Sequence, residues 1–368
     1  MNGLSARLAG VAAGLTLLMA GGVVPASAQQ ADSNPAHGAV SWLNAVAASS
    51  GRAAFAVGYG RGGPFSASWN GRSWAPEPSP GSRPNAIFYG VAATSARQAW
   101  AVGHYLRRGG AVQILIERWN GSTWRRMPVP DVPGSGALFG VSATSASNAW
   151  AVGEAGDPNN GYTRTLTLHW NGIAWKKVPA PGSVRGGNAE LVGVTAVSGR
   201  DAWAVGDSGA ESTQALVLHW NGKSWTRVPS PSFAQGSVLS GIAASPRGVW
   251  TVGTLLAAPY RTLILRWNGG HWVRVSSPSP TADGGSQLKA VAAVGRTAWA
   301  VGYAATRPLI ERWNGATWAR VPTPSPAGDA SLAGVTAVSP RDAWAVGQGN
   351  GQTLILHWNG STWRRQDR

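Results

Sequence analysis

From about residue 40 to the end of the chain, apolar side chains fall in short runs broken by glycine, proline, asparagine and serine. That is the spacing of short strands and tight turns rather than of helices. In the last part of the chain the pattern predicts four strands, over 332–339, 343–347, 353–358 and 362–365, designated a to d. The Asn359-Gly360 step between c and d predicts a tight hairpin with positive φ at both residues. Strand c is almost continuously apolar in most copies, as in Thr262-Leu263-Ile264-Leu265, which suits a sheet covered on both faces.

The pattern repeats. Trp-Asn-Gly begins at Trp69, Trp119, Trp170, Trp220, Trp267, Trp313 and Trp358, and a second tryptophan follows each after five residues: Trp74, Trp124, Trp175, Trp225, Trp272, Trp318 and Trp363. Upstream of each pair stands Ala-Trp-Ala-Val-Gly or a variant, ending at Gly58, Gly103, Gly153, Gly206, Gly253, Gly302 and Gly347. The aromatic of that motif is Phe55 in the first copy and Trp100, Trp150, Trp203, Trp250, Trp299 and Trp344 in the others. With Trp42 these positions account for all 21 tryptophans. Side chains fixed at repeat positions read as packing between units, not as sugar-stacking platforms.

Units of four strands cannot bury both faces alone and close best by radial packing. Seven copies predict an all-β, seven-bladed β-propeller of four-stranded antiparallel blades over residues 39–368, with an open β-solenoid as the competing architecture. The phase begins on strand a near Trp42 and ends on strand d, so no strand is visibly exchanged to latch the ring. Residues 29–38 read as a linker that could also pair at the closure. The succession Asp-Ala-Trp-Ala-Val-Gly, Leu-His-Trp-Asn-Gly-x-x-Trp and Val-Pro-x-Pro resembles uncharacterised secreted bacterial β-propeller repeats and, more distantly, kelch and Asp-box propellers. The hairpin 119–124 keeps the Asp-box turn and final tryptophan but not its aspartate spacing. The resemblance implies a fold and no activity.

Residues 1–28 read as a signal peptide: Arg7, an apolar stretch from Leu8 to about Val24, and small residues at Ala26-Ser27-Ala28. A secreted product, extracellular or bound to the cell wall and without a membrane span after cleavage, is therefore expected. With no cysteine, such a chain must find its stability in burial alone. The net charge is +16, and loss of Arg7 leaves 30 basic against 15 acidic residues, a balance that permits binding to anionic polymers.

Candidate chemistry is sparse. His169, His219 and His357 precede Trp-Asn-Gly where other copies carry Arg118, Arg266 and Arg312, so these histidines do not read as metal ligands. His271 falls in a c to d turn and His37 in the linker, which leaves His104 where loops vary. No metal and no cofactor are expected. Gly206-Asp207-Ser208-Gly209-Ala210 matches a protease nucleophile segment and 58–63 a dinucleotide fingerprint, but both begin at the repeat glycine, and a strand follows the second instead of a helix. The 15 acids show no repeated or clustered pair such as glycoside cleavage requires. Strand d carries a basic residue two positions after its tryptophan, at Arg126, Lys177, Arg227, Arg274, Arg320 and Arg365, a rim that reads as edge protection or as a belt for an anionic cell-wall polymer. It lacks the concentrated patch of a specific nucleic-acid site.

Loop lengths point to one face. The interval from the strand a glycine or alanine to the strand b glycine is nearly constant, whereas that from the strand b glycine to the strand c tryptophan runs from 11 (Gly58 to Trp69) to 17 (Gly153 to Trp170). Variable loops carry function on a constrained scaffold. The residues following the strand b glycines, Tyr59, His104, Glu154, Asp207, Thr254, Tyr303 and Gln348, are therefore the candidate ligand-binding positions, with Tyr105, Arg107, Arg108, Asp157, Tyr162, Tyr260, Arg261 and Arg307 nearby. The chain reads as a monomeric, non-catalytic binding or scaffold propeller for a protein or glycan, with an extracellular polysaccharide hydrolase or lyase as the alternative.

Overall fold

The computed structural model describes residues 41–366 apart from 81–84, 157–160, 183–185, 211, 281–283 and 325. Residues 1–28, read as a signal peptide, residues 29–38 with His37, read as a linker, and Asp157 lie outside these residues. Each copy of the repeat is one antiparallel sheet with strands a, b, c and d paired in chain order. The seven blades span 41–76, 86–126, 136–177, 188–227, 237–274, 286–320 and 330–365. In blade 6, for example, strand a is Ser286–Val294, b Thr297–Ala304, c Arg307–Trp313 and d Trp318–Arg320. Strand a of every blade packs against strand a of the next, and that of blade 7 against that of blade 1, so the seven surround one axis and strand d lies outermost.

Among the described residues every sheet is a single contiguous segment, and side-chain packing joins the first and last blades. The tryptophans do this work. The strand b indole of one blade meets both tryptophans of the next: Trp100 lies 5.0 Å from Trp170 and, edge to face, 5.0 Å from Trp175. The same triad recurs around the ring, with Phe55 as its head in blade 1 and Trp344 returning to Trp69 and Trp74 at the closure. Trp100, Trp150, Trp299 and Trp344 are fully buried. Burying about 150–250 Å² per aromatic at ~25 cal/mol per Å² gives an upper bound of roughly 4–6 kcal/mol each, before ordering costs.

The c to d turn differs from the expected hairpin with positive φ at both Asn and Gly. Trp69 pairs with Trp74, which leaves a four-residue loop, and of its Asn-Gly step only Gly71 has positive φ, at 95°. Asn70 instead accepts hydrogen bonds through Oδ1 from the backbone N–H groups of Arg72 and Ser73, at 2.9 and 3.0 Å. The same Asx turn recurs at Asn120, Asn171, Asn221, Asn268, Asn314 and Asn359. The side chain supplies the turn, so asparagine keeps ordinary backbone geometry. The indole N–H of Trp69 donates to the Gly51 carbonyl at 3.2 Å, tying the c to d turn to the a to b turn on one face. The variable b to c and d to a connections occupy the other.

Candidate binding site

The site begins with the strand b glycine. A Cβ on Gly302 would lie 2.0 Å from the Gln287 carbonyl oxygen of strand a, and one on Gly58 would lie 1.8 Å from that of Trp42. The other five strand b glycines meet the same obstruction. Glycine is required because the strand a carbonyl occupies the Cβ position. There strand a carries a β-bulge, with one residue left out of register between Leu43 and Ala45, Phe88 and Gly90, Leu138 and Gly140, Leu191 and Gly193, Leu239 and Gly241, Leu288 and Ala290, and Leu332 and Gly334. A bulge re-aims the extra side chain.

The seven extra residues are Asn44, Tyr89, Phe139, Val192, Ser240, Lys289 and Ala333, and all seven line an axial cavity of about 330 Å³. They form a ring of unlike groups inside a repeated frame. The wall also holds Trp42, whose ring lies 5.5 Å from that of Tyr59, and Tyr303. Tyr89 meets Phe139 edge to face at 5.4 Å and lies 5.5 Å from His104. The Asn44 amide donates to the Phe88 carbonyl at 2.7 Å, which ties blade 1 to blade 2. Lys289 Nζ donates to Gln287 Oε1 at 3.0 Å and lies 5.6 Å from the Tyr303 ring centroid.

Electrostatically the cavity is simple. Burial pushes the Tyr59 and Tyr303 hydroxyls up to about 12, with Tyr260 adding to the effect on Tyr303. Burial, then the neighbouring Tyr59 and Glu154, pushes Tyr89 higher still. Enclosure by the surrounding strands lowers Lys289 to about 8. The tyrosines therefore stay neutral near pH 7, and among the described residues Lys289 is the one charged residue on the lining.

Of the positions expected to bind, Tyr59 and Tyr303 line this cavity. His104 stands behind Tyr89, buried, and burial lowers its pKa to about 4. Glu154 and Thr254 are also buried, while Asp207 and Gln348 are partly exposed away from the cavity. Tyr105 is half-buried under the Arg126 guanidinium, 4.4 Å from its ring centroid, while Arg107, Arg108, Tyr162, Tyr260, Arg261 and Arg307 are exposed. One expectation changes: the register sets Glu190 directly opposite Asp207 across strands a and b of blade 4, a carboxylate pair concealed by their 17-residue separation. Loop lengths do not mark the bulge ring. Its signal is a position that changes in every copy inside a fixed frame, as in Phe88-Tyr89-Gly90-Val91 against Leu288-Lys289-Ala290-Val291.

The interchangeable His and Arg positions have a packing role. The His219 and His357 rings stack at 4.2 Å on Trp203 and Trp344, with Nε2 2.9 Å from Asp201 and Asp342 carboxylates. Arg118, Arg266 and Arg312 place their guanidinium groups 4.9–5.2 Å from the corresponding indoles. On strand d, Arg126, Lys177, Arg227, Arg274 and Arg320 are exposed and Arg365 is half-buried. Among the described residues no group of three metal-ligating side chains gathers, and no helix is long and apolar enough to cross a membrane.

No protein-family model and no curated protein matches the sequence. Solved structures do share the fold. The structure described as YCF48 bound to D1 peptide aligns over 91% of this chain and 98% of its own, with a TM-score of 0.55 and 15% identity. YCF48 from Cyanidioschyzon merolae aligns over 86% and 95%, with a TM-score of 0.53 and 18% identity. At these identities the likeness is one of fold alone.

Proposed function

We propose that the protein is a secreted, non-catalytic binding propeller that receives a protein segment at the axial cavity, on the face carrying the b to c and d to a connections. One observation carries this reading. Seven near-identical scaffolds each present one non-repeating side chain to a common cavity, which is how a recognition surface is built on a rigid frame. The YCF48 structure with a D1 peptide supplies a precedent of a similar fold with a peptide ligand. A glycan is the other ligand class the face could serve, and the exposed arginines of strand d could add contacts to an anionic polymer. The pair Glu190 and Asp207 keeps polysaccharide cleavage as the second reading.

The test is selection of displayed peptides on the purified chain, repeated on a Tyr89→Ala, Phe139→Ala variant of unchanged thermal stability. Peptides that bind the first and not the second support the proposal. Selection of nothing, with release of reducing ends from a cell-wall polysaccharide, would replace it with the catalytic reading.

A further inference from the structure

Lys289 is the unusual member of the ring. Five of the other bulge positions are filled by groups that need no counter-charge in a narrow cavity or that pack with aromatic partners: Tyr89, Phe139, Val192, Ser240 and Ala333. The remaining one, Asn44, spends its amide donor on a neighbouring blade. Lys289 instead places an ammonium against the axis, where enclosure already works against its charge. Among the described residues it has no carboxylate partner, and its single hydrogen bond, to Gln287, leaves two of its three donors for other acceptors. The aromatic side of Tyr303 lies beside it and adds a quadrupole that favours the cation, not a group that neutralises it.

Ring order fixes what stands across from this charge. The blades follow one another around the axis in chain order, so blade 6 faces blades 2 and 3. Those blades supply Tyr89 and Phe139, whose rings meet edge to face. The cavity thus has a cationic side and an aromatic side. Its volume of about 330 Å³ is near the lower limit for small-ligand sites, enough for one large side chain or a compact molecule and too little for a helix.

We infer that the axial cavity binds a carboxylate attached to an apolar body, with Lys289 holding the anion and the Tyr89 and Phe139 wall receiving the body. A peptide ending in an aromatic or large aliphatic residue has this chemistry, and so does a free aromatic carboxylic acid. The inference rests on the cavity being the recognition site, and it adds the ligand's charge and shape. The repeat supplies a control for substitution, because Ala333 occupies the equivalent place in blade 7 and Val192 that in blade 4. Lysine is therefore not needed there to build the bulge, and Lys289→Met or Lys289→Ala should leave the fold intact.

Titration calorimetry and ligand-observed NMR on the full chain can test this with four probes: N-acetylphenylalanine, N-acetylphenylalaninamide, and a hexapeptide ending in phenylalanine with its terminus free or amidated. The free acids should bind at least about tenfold more tightly than their amides, the scale of one charged hydrogen bond. Lys289→Met should remove that preference while keeping the unfolding temperature, and Lys289→Arg should keep most of it. A preference for the hexapeptide acid over N-acetylphenylalanine identifies a chain terminus as the ligand; equal affinity identifies the small acid. Binding of the small acid alone would uphold the carboxylate site and refute a protein ligand. Equal binding of acids and amides, or a preference surviving in Lys289→Met, would overturn the inference and leave a peptide-binding propeller standing. Failure of every acid to bind at millimolar concentration would overturn it as well.

Discussion

The indole of Trp344, on strand b of blade 7, meets that of Trp74, on strand d of blade 1, edge to face at 5.3 Å, and Trp69 lies 4.9 Å from the same ring. Though 270 or more positions apart in the chain, these groups hold the first and last blades together. Trp344→Ala should cost ~3–5 kcal/mol in chemical denaturation by opening a cavity in a fully buried site. Trp203→Ala, within the ring, should cost a similar amount, while Arg227→Ala on the exposed strand d should stay within ~0.5 kcal/mol. Equal losses at all three positions would contradict the assignment of core and rim.

The bulges make a sharper prediction about glycine. A Cβ on Gly302 would meet the Gln287 carbonyl at 2.0 Å, whereas one on Gly62 meets nothing within 4 Å. Gly302→Ala must displace strand a and with it Lys289, so it should lower stability by ~1–3 kcal/mol and abolish carboxylate binding together. Gly62→Ala should be neutral or gain about 0.5 kcal/mol. Thermal unfolding and titration of both variants check this.

Glu311 gives a pH dependence. Its carboxylate is fully buried between blades 5 and 6, and neither oxygen has a hydrogen-bond partner among the described residues. Burial pushes its pKa from 4.5 to about 8, with Arg320 opposing the shift. Between those values the unfolded chain has released a proton that the folded one keeps, so stability is full below about 4.5 and falls as pH rises toward 8. The slope from this group is at most about 1.4 kcal/mol per pH unit. Leucine stands at the same place in four blades, at Leu168, Leu218, Leu265 and Leu356. Glu311→Leu should therefore flatten the pH profile and stabilise the protein by ~1–3 kcal/mol at pH 8. A steeper profile in the variant would place the cause elsewhere.

Replacing Arg126, Lys177, Arg227 and Arg274 together by glutamine should leave axial ligand binding unchanged and weaken retention on an anionic polysaccharide column. These side chains stand on the outermost strands, far from the cavity lining. Loss of axial binding in this variant would tie the rim to the cavity.

The repeat made the fold readable. A hydrophobic run, a fixed Trp-Asn-Gly turn and an interval of five between tryptophans are local properties, and local spacing is enough to set strands, turns and the number of blades. The same local character explains why the turn differs from its sequence pattern. Asn-Gly suggests positive φ at both residues, yet whether asparagine uses its backbone or its side chain to make a turn depends on loop length, which the pairing of Trp69 with Trp74 decides.

The candidate binding positions read from loop lengths lie on strand b, one strand away from the bulge residues of strand a that line the cavity. Length variation marks the b to c loops, and the residues after the strand b glycines seemed to be their first members. Tertiary packing buries His104, Glu154 and Thr254 and leaves Tyr59 and Tyr303 on the cavity. By itself the sequence determined the strands, their order within a blade and the seven-fold count, because each depends on side chains close together in the chain. Only the tertiary structure decided which residue of strand a bulges toward the axis. That choice depends on a carbonyl filling the space above a glycine on the neighbouring strand, and on seven blades bringing Lys289 across from Tyr89 and Phe139, residues 150 or more positions away.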